Sequence, residues 1–224
     1  MLPRLTSLLA LGSIAFSVIL TLIDQLGAGA HVDLVNVSVS VSEYAVSERG
    51  GVVAAAMALL GIGSLALLAG LRSAGAPVRG LPERLLLVWS GALVVAALIP
   101  ALPLGGDFEP AAQVHQFVSM AAFVSLPAVG ALLVPRLASD ARWKPVARAV
   151  EWVALAGGFG LLALTYVALP GGGVMIGLVE WLLLGAEVAL LVVLAGWLVR
   201  LAWLPAGVKS VNLPTYHRFI ASRS

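Results

Sequence analysis

Six long apolar segments constrain this chain more than any other feature of its sequence. Each is close to the roughly 20 residues that an α-helix needs to cross the hydrocarbon core of a bilayer. Backbone groups in lipid must be hydrogen-bonded within the segment, so apolar runs of this length are expected to be helices. The sequence therefore predicts an all-α integral membrane bundle of six transmembrane helices, at residues 5–24, 51–71, 85–103, 112–134, 148–169 and 173–200.

The composition agrees with a membrane protein. Of the 224 residues, 61% are hydrophobic and only 11% are charged, whereas a soluble domain carries about 25% charged residues. The chain has no cysteine, which excludes disulfides, thiolate metal sites and cysteine nucleophiles. Its small positive net charge of +2 indicates topology in such a protein rather than nucleic-acid binding, and no nucleic-acid partner is predicted.

The basic residues predict the orientation. With a cytoplasmic N-terminus, all of the 13 Lys and Arg residues except Arg49 fall on the cytoplasmic side, as the positive-inside rule requires. Both termini are then cytoplasmic. The predicted organisation is one transmembrane domain over residues 1–200, with an outer lid loop at 25–50, followed by a cytoplasmic tail at 201–224. Ala28-Gly29-Ala30 is an alternative signal-peptidase site, but the preceding apolar run has the length of a membrane span.

An acidic pair and a histidine stand at the outer end of the fourth segment. Asp107 and Glu109 precede it, His115 lies in its first turns, and Ser119 follows one turn deeper on the same face. A lone histidine at this depth is more often a structural hydrogen-bond partner than a ligand or a base. The neighbouring acids keep a second interpretation open, in which His115 is a general base and Asp107 orients it.

The first segment carries a polar stripe made of Ser13, Ser17, Thr21 and Asp24. Spacings of four, four and three place these side chains on one helical face. Small hydroxyl residues on one face favour close helix packing with hydrogen bonds across the interface. The alternative is that the stripe lines a wet cavity that ends at Asp24.

The sixth segment contains two acids, Glu180 and Glu187. They are seven residues apart, so they share a face and lie about 10 Å apart along the axis. An acid at the centre of a membrane helix costs about 2.5–3.5 kcal/mol on insertion scales and therefore faces the bundle interior. Glu187 is expected to stay protonated and to donate a hydrogen bond. Thr165 and Tyr166 are possible partners of Glu180, because a short turn makes segments five and six antiparallel.

These residues map to a polar cluster in the outer half of the bundle, under the 25–50 loop. We expect the cluster to form a ligand-binding cavity. No metal site and no cofactor are predicted, because one histidine within the bundle is too few for a zinc site or a bis-histidine haem. The predicted ligand-binding residues are Asp24, Ser42, Tyr44, Glu48, Arg49, Asp107, His115, Ser119, Tyr166, Glu180 and Glu187.

Several short motifs give the chain a family resemblance. Ser42-x-Tyr44 precedes segment two, and Asp107 is followed by His115 at the start of segment four. FVSLPAVGALL lies within segment four, and GLVEWLLLGAEVALL covers residues 177–191. With these motifs in this order, the chain resembles domain-of-unknown-function family 998, a group of bacterial and archaeal membrane proteins. The resemblance implies the six-helix architecture and a prokaryotic plasma membrane, and it implies no activity.

Three classes of function remain open. The favoured class is a binding or accessory protein that holds a lipid, a small amphiphile or a partner subunit in the outer cavity. The second is an intramembrane hydrolase of lipid-like substrates that uses His115 and a carboxylate. The third is a proton-coupled carrier in which Glu180 and Glu187 relay protons. The bilayer itself is a partner in all three.

Overall fold

The computed structural model describes residues 2–27, 50–99 and 110–203. These residues form six helices and the turns between some of them, with no strand in these ranges. All six are long and apolar enough to cross a membrane, so the predicted all-α membrane bundle is confirmed. The helices are α1 (Leu2–Gly27), α2 (Gly50–Ser73), α3 (Leu81–Leu98), α4 (Pro110–Ser139), α5 (Lys144–Ala168) and α6 (Ile176–Trp203).

Several helix ends differ from the predicted bounds. α3 begins at Leu81 rather than at residue 85, because Pro82 fits the first turn of a helix, where no N–H partner is needed. α4 continues through Pro135 to Ser139 instead of ending at residue 134. Membrane helices tolerate an internal proline when neighbouring groups satisfy the freed carbonyl. α6 runs to Trp203, so the predicted tail begins later, outside the described residues.

The six helices form a ring in chain order. Each helix packs against the helices before and after it, and α6 packs against α1 to close the ring. α6 also contacts α2 and α4, which places it towards the middle of the bundle. Leu67, Leu126 and Leu191 are fully buried in the interior, whereas Phe117 and Phe159 are exposed on the outside. An apolar exterior of this kind suits lipid rather than water.

Glycines allow two pairs of helices to approach closely. A Cβ at Gly63 of α2 would lie 2.9 Å from the Cβ of Ser13 on α1. A Cβ at Gly130 of α4 would lie 2.8 Å from the Cβ of Ala154 on α5. Small residues at such positions are what membrane helices use to bring their backbones together. The contact with Ser13 therefore supports the packing interpretation of the polar stripe on α1.

One end of the bundle, called here the basic end, holds every described Lys and Arg. Arg4 at the start of α1 donates from Nε to the Ala202 carbonyl at the end of α6, at 3.0 Å. Arg142 before α5 donates to the carbonyl of Ala74 after α2, at 3.1 Å. The cytoplasmic location of this end remains a prediction from the charge distribution. The basic end comprises Arg4, Arg72, Arg79, Arg84, Arg136, Arg142, Lys144, Arg148 and Arg200.

Candidate functional site

A cavity of about 110 Å³ lies between the helices in the half of the bundle away from the basic end. Most of its walls are apolar, with contributions from Val53, Leu93, Phe123 and Leu184. Polar side chains reach it from three helices that are far apart in the chain. These are Ser17 and Thr21 of α1, His115 and Ser119 of α4, and Glu180 of α6. We call this space the His115 cavity.

His115 is held by the end of a neighbouring helix. It is buried, and its Nδ1 lies 2.7 Å from the carbonyl oxygen of Ile99, directly after the last turn of α3. A carbonyl can only accept, so Nδ1 must carry a proton in this contact. In the neutral ring Nε2 is then an acceptor. His115 therefore serves as a structural hydrogen-bond partner and also lines the cavity.

The polar stripe on α1 combines both of its predicted roles. Ser17 donates from Oγ to the carbonyl of Ala56 on α2, at 2.7 Å, which is a hydrogen bond across the helix interface. Thr21 donates to the carbonyl of Ser17 within α1, at 3.0 Å. Both hydroxyl groups also line the His115 cavity. The packing and cavity interpretations therefore apply to the same helical face.

Asp24 does not belong to the lining of this cavity. It is buried, and its Oδ2 has no hydrogen-bond partner among the described residues. The alternative interpretation had the cavity end at this carboxylate, but the described lining from α1 includes Thr21 and not Asp24, one turn beyond it.

The two acids of α6 have different surroundings. Glu180 lines the His115 cavity. Glu187, two turns nearer the basic end, is buried to 2% exposure and is not part of that lining. Neither carboxyl oxygen of Glu187 has a hydrogen-bond partner in the described part of the chain. Sharing a helical face therefore did not bring both acids into one cavity, because they lie at different depths.

Tyr166 lies on the outside of the bundle. Its residue surface is 67% exposed, and Thr165 donates to the carbonyl of Leu161 in its own helix, at 2.8 Å. Neither residue lines the His115 cavity. The expected pairing of Tyr166 with Glu180 is corrected for this reason. α5 packs against α6 through Gly160, where an added Cβ would meet Leu183 at 3.0 Å, and this contact turns the face carrying Tyr166 outward.

The remaining predicted site residues lie outside the described residues. They include Asp107, the proposed orienting carboxylate for His115, so that pair stays a prediction. The predicted lid over residues 25–50 begins later than expected, because α1 runs to Gly27 and α2 begins at Gly50, and the rest of it stays a prediction. In residues 2–27, 50–99 and 110–203 no group of three or more potential metal ligands occurs. The other predicted residues outside the described ranges are Ser42, Tyr44, Glu48, Arg49 and Glu109.

Trp89 is a cavity residue that the sequence interpretation missed. It is fully buried on α3 and forms part of the cavity wall. Its Nε1 donates to the Ser64 hydroxyl at 3.1 Å, and that hydroxyl donates to the Leu60 carbonyl at 2.8 Å. Trp89 lies midway along α3, but it is close to the start of the predicted segment 85–103, where an interfacial tryptophan is expected, so nothing in the sequence distinguished it.

Comparison with protein families gives a match over most of the chain. The family described as "Protein of unknown function (DUF998)" matches residues 10–197, which include parts of all six helices and every lining residue of the His115 cavity. No curated protein and no solved structure matches the chain.

Proposed function

We propose a ligand-binding function for this chain, which belongs to the DUF998 family of proteins of unknown function and is a multi-pass membrane protein by its six helices. In this proposal the His115 cavity binds a small amphiphile whose polar end is a hydrogen-bond donor, an alcohol or an amine. The observation that carries the proposal is the cavity itself, with apolar walls and polar groups from α1, α4 and α6.

The size of the cavity limits the ligand. At about 110 Å³ it is somewhat smaller than an engineered apolar cavity of about 150 Å³ that binds benzene. It is large enough for the end of a short chain and too small to enclose a whole phospholipid. The apolar walls would desolvate that part of the ligand, which is the main source of affinity in such sites.

The hydrogen-bonding state of the lining favours a donor. Ser17 and Thr21 already give their hydroxyl protons to backbone carbonyls, which leaves their oxygen lone pairs as acceptors. With Nδ1 of His115 committed to Ile99, Nε2 of the neutral ring is also an acceptor. A ligand that brings an O–H or N–H group can satisfy these atoms, whereas a carboxylate ligand would leave them without a donor.

The other two classes of function receive less support. A His–carboxylate hydrolase needs an acid to orient His115, but its Nδ1 is bonded to a backbone carbonyl. A carrier that relays protons from Glu180 to Glu187 needs a polar path between them, and Glu187 is not part of the cavity lining. An accessory-subunit role has no specific feature of the described residues in its favour.

The test measures how ligands shift the thermal midpoint Tm of the detergent-purified protein. A ligand that binds only the folded state raises Tm. We expect n-hexanol and n-hexylamine to raise Tm, and n-hexane and n-hexanoate to have smaller effects. Ala122→Phe, which fills the cavity from α4, should abolish these shifts. Ala131→Phe, on the exposed surface of the same helix, should retain them.

Two results would contradict the proposal. A shift by n-hexane or n-hexanoate equal to that of n-hexanol would refute the donor requirement. Equal shifts in wild-type and Ala122→Phe protein, or no shift with any probe, would refute ligand binding at this cavity.

A further inference from the structure

A second cavity lies at the opposite end of the bundle from the His115 cavity. It measures about 390 Å³ and is formed where the start of α1, the end of α2, the turn before α5 and the end of α6 meet. Arg4 and Arg142 line it, together with Ser73 and four apolar residues, Pro3, Ala74, Leu201 and Ala202. We call this space the basic cleft.

Both arginines are held in position without using up their donors. Arg4 bonds the Ala202 carbonyl through Nε, and its guanidinium lies over the ring of Trp203 at 5.1 Å from the centroid. Arg142 bonds the Ala74 carbonyl through Nη1. A guanidinium has five N–H donors, and these contacts use one in each side chain. The remaining donors form no hydrogen bond with the described residues, which leaves them to a ligand.

The positive charge of the basic cleft is not neutralised by the described acids. Arg72 pairs with Glu83 at 2.9 Å, and Arg148 pairs with Glu151 at 2.8 Å. No described carboxylate forms an ion pair with either arginine of the cleft. Asp140 is near in sequence, but its Oδ1 accepts the backbone N–H of Arg142, at 2.8 Å, rather than the guanidinium.

The position of the cleft fits the headgroup layer of a membrane. It lies at the ends of membrane-spanning helices, beside Trp203, and Trp197 is further into α6. Tryptophan at a helix end is typical of the membrane–water interface. Guanidinium groups match the geometry of phosphate oxygens and can bind them through two parallel hydrogen bonds. Basic pockets between membrane helices at this depth bind anionic lipid headgroups.

We propose that the basic cleft binds the phosphate of an anionic phospholipid headgroup through Arg4 and Arg142. This site is independent of the function proposed for the His115 cavity. Free inorganic phosphate offers the same chemistry, and the interfacial position of the cleft favours the lipid.

Native mass spectrometry of the detergent-solubilised full chain can count bound lipids directly. We expect phosphatidylglycerol to bind more tightly than phosphatidylcholine. Arg4→Gln/Arg142→Gln should weaken phosphatidylglycerol binding by about 25-fold, from roughly fivefold for each arginine near an anionic surface. Arg79→Gln/Arg84→Gln is the matched control, because it removes the same charge at the basic end outside the cleft, and it should weaken binding by less than about threefold.

Three outcomes would overturn the proposal. Equal weakening in the two double variants would mean that binding follows net charge rather than the cleft. Equal binding of phosphatidylcholine would mean that no anion is recognised. Displacement of phosphatidylglycerol by a modest excess of inorganic phosphate would identify free phosphate as the ligand. A Tm of ligand-free Arg4→Gln/Arg142→Gln protein equal to that of the Arg79→Gln/Arg84→Gln control would show that the bundle is intact, so loss of lipid binding could not be attributed to unfolding.

Discussion

Gly63 should tolerate no side chain, even a methyl group. Its added Cβ would lie 2.9 Å from the Cβ of Ser13 and 3.4 Å from the carbonyl oxygen of Ala10. Carbon atoms pack at about 3.5–4.0 Å, so the overlap with Ser13 is about 0.6–1.1 Å. The Cβ of Ser13 is fixed to the backbone and cannot rotate away. Gly63→Ala must therefore push α1 and α2 apart, which weakens the packing on both sides.

A control on the neighbouring helix isolates the size of this effect. Overpacking of this kind lowers the free energy of unfolding by about 1–3 kcal/mol. Alanine also favours a helix over glycine by about 1 kcal/mol, which partly offsets the loss. Gly12→Ala on α1 should show only the gain in helix propensity, since its added Cβ meets nothing within 4 Å. The two variants should therefore differ by about 1–3 kcal/mol, with Gly63→Ala the less stable.

The assay is equilibrium unfolding in mixed micelles, with the fraction of sodium dodecyl sulfate as the denaturing variable. Ser13→Gly should restore much of the stability lost in Gly63→Ala, because it removes the carbon atom that the new methyl group meets. If Gly63→Ala is as stable as Gly12→Ala, the close approach of α1 and α2 is wrong. If Ser13→Gly lowers stability equally in the wild-type and Gly63→Ala backgrounds, the contact between these two positions is not the cause.

Three further predictions concern a buried acid, a buried tryptophan and the topology. Glu187→Met should raise the free energy of unfolding by about 1–3 kcal/mol, because it replaces a buried group that has no described partner. Glu187→Lys should lower stability or yield. A methionine variant less stable than wild type would mean that the carboxyl group has a stabilising partner. Trp89→Phe should lower the free energy of unfolding by about 0.5–1.5 kcal/mol because it removes the bond to Ser64, and a loss absent from the Ser64→Ala background would confirm that cause. The chain has no cysteine, so single cysteines can report its topology. An impermeant maleimide should label Val174→Cys in intact cells and Ser139→Cys only after permeabilisation. The reverse pattern would invert the predicted orientation.

The sequence predicted the helices well because backbone groups in lipid must form their hydrogen bonds within the segment. A long apolar run must satisfy its own hydrogen bonds, so the number and the type of elements follow from composition and length. The first and last residues of each helix were harder to predict, because they depend on local contacts rather than on hydropathy. α4 passes through Pro135, where a rule taken from soluble helices predicts a break.

The depth of each residue in the membrane was also predictable, whereas the rotation of each helix about its own axis was not. His115 and Glu180 were assigned to the same depth because each lies in the first turns of a segment that begins at the outer face, and both line one cavity. Tyr166 was assigned to that depth as well, but it points outward. On a soluble helix the polar face identifies the exposed side. α5 is apolar towards the lipid, with Phe159 and Leu162 exposed, so its sequence gives little information about which face is inside.

The closure of the ring by α6 has a consequence for the synthesis of the protein. Chains emerge from the ribosome N-terminus first, so α1 to α5 reach the membrane before the helix that contacts both ends of the series. Until α6 arrives, the arc of five helices lacks the wall that Glu180, Trp181 and Leu184 contribute to the His115 cavity. Ser17 and His115 then face lipid or water instead of a finished pocket. A chain that ends before residue 176 therefore lacks the contacts that close the ring, and its first and fifth helices have no described neighbour on that side.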